Sequence, residues 1–247
     1  MATFFISDLH LDPKCPAIIQ AFYRFLDKIS MNPQTESLYI LGDFFEVWLG
    51  DDDDTPAYSE IKVALRNAAD RGVNTFIMHG NRDFLLGESF CRAAGAELIS
   101  EPTIVTVDGQ SLLLMHGDSL CTRDIDYMQF RKQVRNHQWQ RQFLAQSLAD
   151  RRLYVAAARQ QSKNLTQRKA EDIMDVTPAA VEKIFVEHSV KTLVHGHTHR
   201  PARHQHNVNG KAYERIVLGD WDKYGWYLVS EKGQLTLEKF LIESSKC

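Results

Sequence analysis

Phe4-Phe5-Ile6-Ser7 runs without a break into Asp8-Leu9-His10, and this stretch decides how the chain is read. Four residues of apolar strand character end on two metal-grade side chains. The same arrangement recurs five times along the chain. Leu38-Tyr39-Ile40-Leu41 opens on Gly42-Asp43, and Phe76-Ile77-Met78-His79 on Gly80-Asn81-Arg82-Asp83. Leu112-Leu113-Leu114-Met115 leads to His116-Gly117-Asp118, Leu193-Val194-His195 to Gly196-His197-Thr198-His199, and Ile216-Val217-Leu218 to Gly219-Asp220. In sheet enzymes ligands bind in the crevice beyond the carboxyl ends of strands. Six buried strands ending this way predict an α/β enzyme with a metal centre at that edge.

Helical patterns alternate with the first strands, near 16–30, 57–71 and 87–94, and another near 178–188 starts at Thr177-Pro178. Further strands are expected near 103–107, 225–230 and 235–240. Between about 121 and 172 no strand pattern occurs. There Ile125, Met128, Trp139, Phe143, Leu144, Leu148, Val155 and Ala158 recur at helical spacing among basic residues. The expected organisation is therefore a core of residues 1–120 and 173–247 with a helical cap insertion over 121–172. That segment holds eleven Lys/Arg against five Asp/Glu in a chain of net charge −3. The asymmetry predicts an anionic partner for the insert, and the overall balance argues against nucleic acid.

With 44% hydrophobic and 25% charged residues in 247, the chain is an ordinary globular protein. Cys15, Cys91, Cys121 and Cys247 show no CxxC spacing, so reduced thiols in a cytoplasmic protein are expected. Met1 leads straight into the ligand-bearing strand, so no signal peptide is expected. No apolar run approaches the roughly 18 residues of a membrane span.

Asp8 and His10 lie two apart, so both side chains leave a strand on one side, and His197 and His199 repeat that spacing. Glycines before Asp43, Asn81 and His197 allow close approach and positive φ. Asp8, His10, Asp43, Asn81, His116, His197 and His199 make seven candidate ligands, too many for one ion and suited to two. Imidazole and oxygen donors without thiolate favour Mn²⁺, Fe²⁺, Zn²⁺ or Mg²⁺. His79 and His195, inside their strands, are expected to be structural.

The ordered set Asp8-x-His10, Gly42-Asp43, Gly80-Asn81, His116-Gly117 and Gly196-His197-Thr198-His199 resembles the calcineurin-like metallophosphoesterases. The resemblance implies a four-layer sandwich of two mixed β-sheets flanked by helices. It places Asp8, His10, Asp43 and His199 on one ion, and Asp43, Asn81, His116 and His197 on the second. Many members have a histidine after the Gly-Asn pair; here Arg82 stands there. An arginine cannot serve as an acid, but its fork neutralises phosphate oxygens, which tilts the expectation toward a phosphoanhydride.

Longer segments, from Leu38 to Asp52, His79 to Leu85, Met115 to Cys121, Ile173 to Val176, His195 to Pro201 and Val217 to Trp221, resemble a narrower family, the diphosphatases of the lipid A pathway. That resemblance implies an enzyme acting on UDP-2,3-diacylglucosamine to give UMP and 2,3-diacylglucosamine 1-phosphate (lipid X), with two Mn²⁺ ions. It implies catalytic roles for Asp43, Asn81, Arg82 and His197, and substrate contacts from Asn81, Arg82, Asp124, Ser162, Thr166, Lys169 and His197. Ser162, Thr166 and Lys169 share one helix face, with Arg159 near it. Peripheral association with the cytoplasmic face of the inner membrane and no obligate protein partner are also expected. A phosphodiesterase or nuclease of the same superfamily is one competing reading, against which Arg82 weighs. A non-catalytic metal-bound scaffold is another, against which the complete ligand set weighs.

Overall fold

A computed structural model describes residues 1–166, 173 and 175–243, the side chains of 161–166 excepted. The strands are β1 (Ala2–Ile6), β2 (Thr35–Leu41), β3 (Asn74–Met78), β4 (Ala96–Ile99), β5 (Thr103–Val107), β6 (Gln110–Leu114), β7 (Thr192–His195), β8 (Ala202–Val208), β9 (Lys211–Val217), β10 (Tyr224–Glu231) and β11 (Gln234–Leu241). They form a six-stranded sheet, β11-β10-β1-β2-β3-β4, and a five-stranded one, β5-β6-β7-β9-β8. Both are mixed. The six strands read from apolar runs are the parallel neighbours β1-β2-β3 and β6-β7-β9, while β10 and β5 run antiparallel at their sides.

The inner faces of the sheets meet through Phe5, Leu41, Met78, Leu114, Val194, Ile216 and Leu228, all fully buried or nearly so. On the outer face of the larger sheet pack α1 (Pro16–Met31), α2 (Pro56–Asp70) and α3 (Glu88–Ala94), through residues such as Phe22, Phe25, Ile61 and Phe90. The outer face of the smaller sheet takes α7 (Pro178–His188) through Val181 and Phe185. This is the expected sandwich of four layers, each face of each sheet covered by an apolar partner.

Two strands escape the sequence reading. β4 is a four-residue edge strand entered through Gly95 at φ 69°. β8 reads Ala-Arg-His-Gln-His-Asn-Val, too polar for an apolar-run criterion. Its alternate exposure, with Arg203, Gln205 and Asn207 outside and His204, His206 and Val208 on the more buried face, is that of an antiparallel edge strand on β9. Thr177 precedes α7 as expected, yet its hydroxyl makes no cap bond and instead accepts from Thr122 Oγ1 at 2.8 Å.

Between β6 and β7 the chain forms α4 (Ile125–Val134), α5 (His137–Leu144) and α6 (Leu148–Thr166) before α7, with no strand among the described residues. Phe143 is buried, and Trp139 and Val155 pack against the core cluster. Trp139 stacks on Phe143 with ring centroids 5.0 Å apart and approaches Phe84 at 6.2 Å. Part of the basic excess of this segment is engaged by the core. Arg131 bonds Asp118 and Glu101, and Arg135 donates to Gly80 O at 2.8 Å. Arg151, only 1% exposed, grips Asp52 with both terminal nitrogens, and Arg152 pairs with Asp53 and Asp54. The acid run Asp51–Asp54 is thus a seat for α6, with Asp51 accepting the backbone N–H of Gly87 and Phe90 at the start of α3. Cys91 and Cys121 are buried free thiols, and Cys247 lies outside the described residues.

Candidate metal centre

All seven candidate ligands sit just beyond the carboxyl ends of β1, β2, β3, β6 and β7. Five of them, Asp8, His10, Asp43, His197 and His199, have φ between 49° and 68°. That left-handed region is uncommon for residues with a side chain, though Asp and His enter it more readily than most. Strain of this kind clusters at functional sites. The glycines divide the two expected roles between them. Gly42 does have positive φ, at 86°, but Gly80 and Gly196 are needed for close approach. A Cβ on Gly80 would lie 2.1 Å from Asp43 N and Oδ1, and one on Gly196 2.2 Å from Asp8 Oδ2.

Backbone bonds bring the loops together. Asp8 N donates to Gly42 O at 3.1 Å and His10 N to Asp43 O at 3.0 Å. His197 N donates to the Asp8 carboxylate, and Arg82 N to Asp43 Oδ1 at 2.8 Å. Asp83, fully buried, accepts the backbone N–H of Gly80 at 2.7 Å and of Phe44 at 2.8 Å.

The donor atoms converge in two groups, Asp8 with His10 and His199, and Asp8 with Asp43 and His116, each within 4.8 Å. His10 Nε2 and His199 Nε2 face each other at 3.3 Å. Asn81 Oδ1 lies 2.9 Å from His116 Nε2 and 2.8 Å from His197 Nδ1. Asp43 reaches toward both groups, its Oδ2 3.9 Å from His10 Nε2 and its Oδ1 3.7 Å from His116 Nε2. Imidazole lone pairs turned on one another and on shared oxygens are what a divalent cation would satisfy, so the donor set fits a metal site.

Outer partners fix the rings. His116 Nδ1 lies 2.9 Å from Leu41 O, which leaves Nε2 toward the site. His199 Nδ1 is 3.4 Å from Asp220 Oδ2. Glu46 Oε2 lies 2.8 Å from His10 Nδ1, off the line of the ring N–H. Asp118 receives Tyr127 Oη and Arg131 Nε, while Glu101 accepts the backbone N–H of His116 at 2.9 Å. The Tyr127 ring of α4 stacks near His197 at 6.0 Å.

The electrostatics follow this crowding. Burial opposes ionisation of Asp8, but His199, His116 and His10 hold its carboxyl well below the usual range. Burial raises Asp43 despite His116 and His10. For His116 burial lowers the pKa, and Asp43, Asp8, Asp118 and Glu101 outweigh it, leaving about 9. His199 is likewise carried to about 10 by Asp220 and Asp8 against burial. Burial and neighbouring His116 take His197 down to about 4. The site is a negative cage in which some imidazoles stand in for cations.

His79 and His195 are structural, as expected: His79 Nε2 lies 2.6 Å from Leu86 O, and His195 sits between Gly196 O and Arg215. Arg82 does not pair with Asp83. Its Nε is buried without a partner, and no carboxylate among the described residues engages its guanidinium. Asp124 is the N-cap of α4, accepting Tyr127 N–H at 3.0 Å. Ser162 and Thr166 fall on the last turns of α6, outside the described side chains, and Lys169 lies outside the described residues. Glu46, Glu101, Asp118, Tyr127 and Arg131 escaped the sequence reading as site residues. Asp220 was legible as a strand-end carboxylate but was left out of the ligand set.

The profile of the calcineurin-like phosphoesterases matches residues 1–201. A curated UDP-2,3-diacylglucosamine hydrolase of Cellvibrio japonicus (strain Ueda107) is 52% identical over 97% of this chain and 99% of its own. One from Azotobacter vinelandii (strain DJ / ATCC BAA-1303) is 50% identical over 98% and 100%. Among solved structures, an archaeal phosphodiesterase is 13% identical, covers 98% of this chain and 99% of its own, and has a TM-score of 0.48. From the profile match and these relatives, the chain belongs to the calcineurin-like phosphoesterases.

Proposed function

We propose that the chain hydrolyses the diphosphate of UDP-2,3-diacylglucosamine to UMP and lipid X, a reaction of lipid A biosynthesis. The observation that carries this reading is Arg82, a guanidinium with no carboxylate partner among the described residues, next to Asn81 and beside the two groups of candidate ligands. An arginine suits a substrate whose leaving group is itself a phosphate and needs no proton. The names of the curated relatives, similar over nearly their whole length, support the same substrate.

In this reading Asp8, His10, Asp43 and His199 would hold one divalent ion, and Asp43, Asn81, His116 and His197 a second, with Mn²⁺ the expected ion. Bound there, such ions polarise phosphoryl oxygens and make a water nucleophilic at neutral pH. The protein supplies the placement. Asp43 spans the two groups of donors. Leu41 O and Asp220 keep His116 and His199 turned with Nε2 inward. Arg82 takes phosphate oxygens in pairs, and Asn81 and His197 orient the attacked group.

The insert serves as a cap for the lipid, with Ser162, Thr166 and Lys169 toward the sugar phosphate and Asp124 among the other substrate contacts. Ile125, Phe130, Leu144 and Leu153 of its helices are exposed, as apolar contacts for acyl chains or bilayer would be. No described helix is long and apolar enough to cross a membrane. Attachment to the cytoplasmic face of the inner membrane would then be peripheral, at roughly 1 kcal/mol per well-placed basic residue.

If the insert grips the sugar phosphate, the uridine-side phosphorus lies over the metals. Hydrolysis in ¹⁸O-water is then expected to put the label in UMP and leave lipid X unlabelled, as read by mass spectrometry of both products. Label in lipid X would reverse the placement, and absence of both products would reject the reaction.

A further inference from the structure

Of the three histidines whose second ring nitrogen meets an outer partner, His10 is the one whose ring partner is itself held by a side chain of the insert among the described residues. Glu46 follows Phe44-Phe45, a segment bridged to Leu11. Leu11 N donates to Phe44 O at 2.9 Å, and Glu46 N to Leu11 O at 3.2 Å. The backbone therefore fixes Glu46 beside His10, with Oε2 2.8 Å from Nδ1. Its other oxygen is taken by Arg159 of α6. Two turns earlier the same helix is seated by Arg151 and Arg152 on Asp52, Asp53 and Asp54, a few residues further along the same loop. A single loop, 43–54, thus carries the Asp43 carboxylate, the carboxylate against His10 and the seat of α6.

We propose that Glu46 is a positioning residue of the metal centre, orienting the His10 imidazole and itself positioned by Arg159, so that metal occupancy and the seating of α6 are coupled. A carboxylate on the outer nitrogen of a ligating histidine fixes its tautomer and raises its basicity. Arg159 holds Glu46 slightly off the imidazole N–H, so its removal changes where that carboxylate rests. Coupling of this kind is reciprocal: whatever α6 contributes to metal affinity, the metal returns to the docking of α6. A plain surface ion pair between Arg159 and Glu46 would leave metal affinity untouched. The inference rests on the reading of Asp8, His10 and His199 as metal ligands.

The test uses the full chain, stripped with chelator and titrated with Mn²⁺, the free ion being followed by electron paramagnetic resonance. Glu46→Gln, close to isosteric, is expected to weaken Mn²⁺ binding about 10- to 100-fold, the range for outer partners of metal ligands. Arg159→Ala should weaken it by a smaller factor and add nothing in the Glu46→Gln background. Amide exchange over residues 148–160 should slow on adding Mn²⁺ to the wild type and not to Glu46→Gln. His10→Ala is the reference for the site itself. If His10→Ala loses Mn²⁺ while Glu46→Gln and Arg159→Ala bind as wild type, the coupling is overturned and the metal reading stands. If His10→Ala also binds as wild type, both fall.

Discussion

Asp43→Ala is expected to lower turnover of UDP-2,3-diacylglucosamine by at least about 10³-fold, because metal-assisted charge stabilisation is worth several kcal/mol of barrier. Asp43 sends one oxygen toward each group of donors, and its loss opens both. The fold should survive. The side chain is 2% exposed and its burial raises its pKa, so the metal-free protein keeps it ionised only at a cost. The alanine variant loses an acceptor for the partly buried Arg82 N–H at 2.8 Å, a deficit of about 1 kcal/mol. Removing a buried carboxylate offsets part of it. Thermal melts of metal-free wild type and variant should therefore lie close together while activity differs. Near-normal activity in the variant, or a variant that does not fold, would contradict this division of roles.

Arg82→Ala is expected to reduce kcat/KM on the lipid nucleotide about 10²- to 10³-fold, the usual loss when one preorganised donor to developing charge is removed. Arg82→Lys should recover only part of it, since a point charge does not reproduce a two-pronged contact with phosphate oxygens. Metal content should be unchanged in both variants, because the guanidinium has no place among the donors. Steady-state kinetics beside metal analysis checks this. Loss of metal together with activity would make Arg82 a structural support of the site.

The core of the fold was legible because six of its strands announce themselves twice, by an apolar run and by the polar residue that follows. Those strands are the inner parallel neighbours of the two sheets, where both faces are buried and alternation disappears. β8 was lost for the opposite reason: at an edge, with Arg203, Gln205 and Asn207 exposed and histidines on its other face, it carries too little apolar character to register. The candidate ligands were readable because each follows its strand at short range. Glu46, Glu101, Asp118 and Arg131 were not. Their roles come from contacts between loops far apart in the chain, such as Arg131 with Glu101 or Arg159 with Glu46, and no local spacing encodes them. The acid run Asp51–Asp54 and the basic insert were both visible as charge, but only the fold sets them against each other.

The most direct measurement is product analysis by mass spectrometry, with UDP-2,3-diacylglucosamine given to the chelator-stripped full chain with and without added Mn²⁺. UMP and lipid X are expected in equal amounts with Mn²⁺ and neither without it. Turnover that persists in excess chelator, or no UMP once Mn²⁺ is restored, would contradict a metal-dependent diphosphate hydrolase.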